Sequence, residues 1–538
     1  MPLTYISHWL VQTWSLRLNG MIKVNAALFA GLLLAGCCST SHSVEKSVNV
    51  RLAEPQSSVL GQSIVGLSQA HPNLSGHVIL DTGRQAFSSR IALAGSAEHT
   101  LDAQYYIWNS DSTGRILANR LVSAADRGVR VRLLMDDYGL GGKDAQIIAL
   151  DAHANIEVRV YNPFNTGFRS GLRKWASFAF GFSRLNRRMH SKTFIVDNSV
   201  AITGGRNIGD EYFDANPSSV HRDRDMLSIG PVVEEISSQF DLMWNSEWAI
   251  PIGALTSASY TADELAQRYQ KLREDVEADT RKLYPLPVST DRQRQLIQSY
   301  LDDAIWAPTT FVFNPPTITG GDESGSAVVT DTLVELLSTA NTEVLVESAY
   351  FTIMDGMLSR LSPYLKSGLT IKVLTNSLAS TDVWTIHAGY TRNREELLRR
   401  GVELYEWRSD GQSCGELIDN DKLDCSKLKY SLHAKSVVFD RDTVFVGSFN
   451  LNPRSNLLNT ETALVIHNRE LAQRIAADIK FDMQPGNSWR LDFDGDGALR
   501  WYGTTNGEPE VFDHEPYTSS MQRFKASIAA KIPLEKYW

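Results

Sequence analysis

The chain has 538 residues, more than one hydrophobic core usually organises, so two domains or lobes are expected. Its composition, 43% apolar and 21% charged, is globular, and 62 acidic against 53 basic residues give a formal charge of -9. That balance argues against broad electrostatic binding to nucleic acid, and no apolar run after residue 36 is long enough to span a bilayer.

Met21-Ile22-Lys23 opens a short basic segment, Val24 to Leu34 is almost wholly apolar, and Leu34-Ala35-Gly36-Cys37 follows. This string resembles a bacterial lipoprotein signal, in which cleavage precedes Cys37 and lipid is attached to that cysteine. The alternative is an uncleaved anchoring helix. Either reading places the protein at a membrane of the bacterial cell envelope. Residues 1–36 are therefore leader and signal, and the polar, Ser-rich stretch 37–60 is a tether.

A first lobe is expected over 61–255. It holds predicted strands at 99–108, 128–135, 156–161, 192–196 and 200–203. Helices are predicted at 114–127, with Ile116, Leu117, Leu121 and Ala124 on one face, and at 145–152. Residues 256–325 connect the lobes through a charged helix, 262–282, and Pro-rich loops. The second lobe, 326–485, repeats the order: strand 344–351, helix 356–367, strand 368–374, helix 393–400, strand 402–407. The tail, 486–538, mixes strand-like and helical pieces. The fold class is α/β: two pseudo-symmetric lobes, each a mixed sheet flanked by helices. Cys414 and Cys425 flank a polar loop, and either form a short disulfide in an exported protein or remain free thiols. Asp492, Asp494 and Asp496 begin like a calcium loop, but Gly503 stands where the twelfth-position acid belongs, so a polar turn is expected.

One pattern occurs twice. His190, Lys192, Asp197, Gly204-Gly205 and Asn207 reappear as His433, Lys435, Asp440, Gly447-Ser448 and Asn450, each displaced by 243 residues. Alone, either copy is a core histidine and a solvated lysine on a strand. Together they suit a phosphoryl centre. One imidazole attacks phosphorus in line, and the other protonates the departing alkoxide and then deprotonates the incoming alcohol or water. The lysines hold the non-bridging oxygens, and Asn207 and Asn450 add hydrogen bonds. No cofactor and no metal is required.

The paired motifs, with Arg454-Ser455 and Asn459-Thr460-Glu461 after the second, resemble the phospholipase D superfamily. Arg184 to His190, Gly204 to Tyr212 and Ile532-Pro533-Leu534-Glu535 are similar to bacterial cardiolipin synthases of the C-type branch. The resemblance implies two phospholipase D-like lobes with the active site between them. It groups His190, Lys192, Asp197, His433, Lys435 and Asp440 as the catalytic set, with Asp197 and Asp440 structural at strand turns. It implies that Asp225 and Glu461 orient the histidines and that His190 is the nucleophile. The function implied is phosphatidyl transfer through a phosphohistidine, giving cardiolipin from phosphatidylglycerol and a second phospholipid. Hydrolysis to phosphatidic acid and nuclease-type phosphodiester cleavage are the alternatives. The partners are phospholipids and a membrane surface. Arg169, Arg173, Lys174, Arg184, Arg187 and Arg188, interleaved with Phe168, Trp175, Phe178, Phe180 and Phe182, form either a headgroup-level contact or a lobe insertion.

Overall fold

The computed structural model describes residues 46–140, 144–164, 182–256, 258–316, 328–353 and 357–532. The leader, Cys37 and the basic–aromatic run from Phe168 to Phe180 lie outside the described residues.

The motif strands have both faces covered. In Thr193–Val196, Phe194 and Val196 enter one core and Ile195 another. In Lys435–Phe439, Val437 and Val438 divide the same way. Side chains alternate across a strand, so burial on both faces reads as a continuous apolar run.

Among the described residues the first sheet runs Ile305–Ala307, Ser75–Leu80, Asp225–Ile229, Val200–Gly204, Thr193–Val196, Thr100–Ile107, Arg130–Gly139, Ile156–Tyr161, Ala249–Pro251. The second runs Thr309–Phe313, Thr462–His467, Thr443–Gly447, Lys435–Phe439, Glu343–Ser348, Thr370–Asn376, Glu403–Trp407, Ser488–Phe493, Leu499–Thr505, Glu508–Phe512. From Ser75–Leu80 and from Thr309–Phe313 onward, eight strands follow in the same order and direction. In each half the three central strands beginning with Thr100–Ile107 or Glu343–Ser348 are parallel, and the adjoining motif strand is antiparallel to them.

Helices Gly83–Ser96 and Ser112–Asp126 cover the outer face of the first sheet, and Val328–Thr339 and Trp384–Arg399 that of the second. Helices Val232–Asn245 and Arg469–Asp482 lie in the core shared by the two halves, where Ile195, Met226 and Phe240 join Val438, Val446 and Ile475. The predicted α/β architecture of two mixed sheets flanked by helices is the one observed.

Three segments differ from expectation. The tether is bound from residue 46 onward: buried Arg159 donates to Ser47 O at 2.7 Å, buried Arg132 to Asn49 O at 2.9 Å, and Asp241 accepts Arg51 N–H at 2.8 Å. The connection is more than a helix and loops. It adds helix Thr290–Asp302 and supplies an edge strand to each sheet, Ile305–Ala307 and Thr309–Phe313. The helix expected at 393–400 begins at Trp384. In the tail, Asp494 accepts Asp496 N–H at 3.0 Å and Ala498 N–H at 2.9 Å, a carboxylate satisfied by its own turn.

Cys414 and Cys425 are disulfide-bonded, with Cα atoms 5.9 Å apart. The loop they close reaches the first half: Asn420 donates to Asp214 O at 2.7 Å, Lys422 to Leu283 O at 2.6 Å, and Arg84 pairs with Asp419 at 3.1 Å.

Candidate active site

Each histidine is positioned by the opposite half of the chain. His190 N–H donates to Thr460 O at 2.9 Å, and Thr460 N–H returns to Arg188 O at 2.9 Å. Strand Lys429–Leu432 pairs in parallel with Ser219–Arg222, and His433 N–H donates to Arg222 O at 2.6 Å. The residue before each histidine is pinned as well. Asp136 accepts Met189 N–H at 2.9 Å, and Asn376 accepts Leu432 N–H at 2.9 Å. Sheet register makes Asp136 and Asn376 equivalent. Neither Asp136 nor Asn376 stands out in the sequence; the signal for both is a polar residue closing an apolar run.

The imidazoles are oriented across the same seam. His190 Nδ1 lies 2.9 Å from Glu461 Oε2 and 3.1 Å from Ser448 O. Both partners only accept, so Nδ1 carries the proton and Nε2 keeps its lone pair. Glu461 also accepts from Ser448 Oγ at 2.6 Å, Ser455 Oγ at 2.6 Å and Asn459 Nδ2 at 3.2 Å. His433 Nδ1 lies 2.5 Å from Asp223 Oδ2. Lys435 Nζ is 2.9 Å from the same nitrogen and also donates to His433 O. With Nδ1–H given to Asp223, the ammonium is left to that carbonyl and to the cleft.

The orienting carboxylate is thus Asp223, not Asp225. In the second half Ser448 N–H donates to Thr462 O, and in the first Gly205 N–H donates to Arg224 O. This register equates Arg224 with Thr462 and therefore Asp223 with Glu461. Asp225 points to the same side of its strand, one step further along, where it pairs with Arg90 at 2.9 Å and Arg206 at 3.6 Å. The register also explains why Gly205 stands where the second motif has Ser448. A Cβ at Gly205 would lie 2.1 Å from Asp223 Oδ1.

The motif aspartates serve the sheet. Asp197 accepts backbone N–H groups from Glu98, His99 and Thr100, and Asp440 from Asn341, Thr342 and Glu343, at 2.8 to 3.0 Å. Each opens the turn of its hairpin, closed by Ser199 N–H on Val196 O or Asp442 N–H on Phe439 O, with φ of +50° and +48° at Asp197 and Asn198, and +51° and +54° at Asp440 and Arg441. Such turns favour Asp and Asn. With the aspartates bound to the sheet, the candidates for chemistry are His190, Lys192, His433 and Lys435. Asn207 is occupied locally, accepting Ile107 N–H at 3.1 Å and donating to Tyr212 Oη at 3.1 Å. Asn450 Oδ1 is buried without a partner.

Burial sets the protonation states. It lowers His190 to about 4, although Glu461 opposes the shift. It lowers Lys192 to about 7 against Glu461, and Lys435 to about 8 against Asp223. Each lysine's charge also acts on the other motif: Lys435 helps to lower Lys192 and His190, and Lys192 helps to lower His433. The two motifs share one site. Burial, Lys435 and His221 press His433 toward the neutral form, while the charge of Asp382 acts the other way. Tyr106 edges onto His190 with ring centroids 5.0 Å apart, and Tyr212 and Tyr350 edge onto His433 at 5.2 and 6.3 Å.

The family described as Cardiolipin synthase, PLD-like domain, matches residues 91–244 and 333–483, once in each half. Cardiolipin synthase C of Escherichia coli strain K12 is 37% identical over 490 residues, covering 88% of this chain and 99% of that protein. Cardiolipin synthase B of the same strain is 24% identical over 422 residues, covering 76% and 84%. The crystal structure of phosphatidylserine synthase from Haemophilus influenzae Rd KW20 has a TM-score of 0.53 at 13% identity, covering 87% of this chain and 95% of that one, a likeness of fold.

Proposed function

Because the chain belongs to the phospholipase D-like cardiolipin synthase family and is a phosphatidyltransferase of that type, we propose that it makes cardiolipin through a phosphohistidine on His190. In the first step His190 Nε2 attacks phosphorus of a phospholipid. The P–O bond to the headgroup alcohol breaks, a P–N bond forms, and His433 protonates the alkoxide. In the second, His433 takes the proton of a phosphatidylglycerol hydroxyl, whose oxygen displaces His190. Lys192 and Lys435 hold the anionic oxygens throughout.

The observation that carries this reading is the crossed orientation of the imidazoles, with Glu461 on His190 and Asp223 on His433. Both Nδ1 positions are spent on carboxylates, leaving both Nε2 atoms for phosphorus and proton transfer. The test is a quench with donor lipid labelled at phosphorus. An acid-labile label is expected on the wild-type protein and is expected to be absent from His190→Ala; label retained by His190→Ala would overturn the assignment.

Attachment to the bilayer is part of the same reading. The string ending Leu34-Ala35-Gly36-Cys37 supports lipidation at Cys37. No described helix is long and apolar enough to cross a membrane. Helix Ser520–Ala529 supports surface contact. Met521, Phe524 and Ile528 are exposed on it beside Lys525, while Ala526 and Ala529 face inward.

A further inference from the structure

The two halves of the site are not alike, and the difference lies beside His433. The register that equates Asp223 with Glu461 also equates His221 with Asn459. Asn459 gives its amide to Glu461 at 3.2 Å. His221 does nothing comparable for Asp223: it is buried, and its Nδ1 has no hydrogen-bond partner. Its ring lies 5.4 Å from that of His433 and 4.9 Å from that of Tyr212, centroid to centroid. Tyr350, edge-on to His433, directs its hydroxyl at Asp382, 2.8 and 2.7 Å from the two carboxylate oxygens. Asp382 is solvent-exposed just ahead of helix Trp384–Arg399. The His190 side carries instead Tyr106 stacked on Tyr138, rings 5.4 Å apart.

An unpartnered buried imidazole nitrogen next to an exposed, fixed carboxylate is a poor place for a phosphate. The carboxylate repels it. The same pair is well suited to accepting hydroxyl protons. The incoming alcohol must surrender its proton to His433, so its remaining hydroxyl falls within this group. We infer that His221 and Asp382, braced by Tyr350, form the binding site for a vicinal diol, the glycerol headgroup of the acceptor lipid. One hydroxyl is placed on His433 for attack and its neighbour is held by His221 and Asp382. Water and simple alcohols lack the second hydroxyl, so the site favours transfer over hydrolysis. This rests on the phosphatidyl-transfer reading above.

The test measures partitioning of the intermediate. Vesicles of phosphatidylglycerol and phosphatidylethanolamine are turned over by the wild-type protein, Asp382→Asn and His221→Asn, the last installing the residue the other half uses. Cardiolipin and phosphatidic acid are quantified together, and isotope-labelled glycerol and 1-propanol are compared as soluble acceptors. A site that hydrogen-bonds a substrate hydroxyl discriminates strongly against analogues lacking it. The cardiolipin-to-phosphatidic-acid ratio is therefore expected to fall about tenfold or more in each variant, with loss of the wild-type preference for glycerol over 1-propanol. An unchanged ratio in both variants, or a proportional fall of both products, overturns the diol site while leaving phosphatidyl transfer intact. Absence of any lipid product from the wild-type protein overturns the underlying reading, and the diol site with it.

Discussion

At the residue scale the site depends on which carboxylate meets which ring. Asp223→Asn leaves the shape of the site but reverses what Nδ1 of His433 faces. A loss of turnover of about 10²–10⁴-fold with little change in unfolding temperature is expected. Asp225→Asn breaks a buried pairing with Arg90 instead, so its main effect is expected on thermal stability, by about 3–5 kcal/mol. Steady-state kinetics beside calorimetry separates the two; equal kinetic defects would contradict the register argument. The lysines set the pH response. With Lys192 lowered to about 7 and Lys435 to about 8, kcat/KM of the free enzyme is expected to decline as pH rises through that range and the ammonium groups are lost. Stability moves the other way. Between about pH 7 and 10.5 the unfolded chain binds more protons at Lys192 than the folded one, so this contribution to stability rises with pH. A pH profile of turnover measured beside one of unfolding tests the opposed signs. The motif residues were legible in the sequence because they repeat at one interval. Asp223, Asn376, His221 and Asp382 were not, because they reach the site through strand register and lobe contact. Asp223 and Asp225 share strand parity, so alternation alone does not choose between them.

At the scale of elements, the apolar runs and helix faces were readable, and most predicted strands lie within two residues of those observed. Helix Thr290–Asp302 was overlooked although its signals were present. Ser289 caps it, and Gln293, Ile297 and Leu301 recur at four-residue spacing on its buried face. In the sequence, Cys414 to Cys425 reads as a polar loop with two cysteines that either pair or stay free. In the folded chain it bridges to Asp214, Leu283 and Arg84 and leads into Lys429–Leu432, the strand that positions His433. Replacing both cysteines with alanine is expected to lower stability by about 2–4 kcal/mol. It is also expected to reduce turnover, because the strand before His433 loses its brace. Chemical denaturation paired with activity assays checks this. Unchanged activity would place the loop outside the support of the site.

At the scale of the molecule, the halves are joined by apolar packing and by a buried charge network. Arg224 pairs with Glu347 at 2.5 Å across the seam and with Asp81 at 2.8 Å, while Arg222 pairs with Asp482 at 3.4 Å. Removing Arg224 leaves the Glu347 carboxylate buried without its partner, so Arg224→Ala is expected to cost about 3–5 kcal/mol of stability. Pseudo-symmetry explains how so much of the design was visible: a strand order used twice doubles every signal. It also explains what was hidden, since the two halves differ where the chemistry needs them to. What leaves the site decides which reaction it performs. The most direct measurement is mass spectrometry of lipids after incubating the purified protein with phosphatidylglycerol and phosphatidylethanolamine vesicles, beside His190→Ala and His433→Ala. Cardiolipin formed by the wild-type protein and lost in both variants is the expected result. Phosphatidic acid as the sole product, or cardiolipin persisting in either variant, would contradict it.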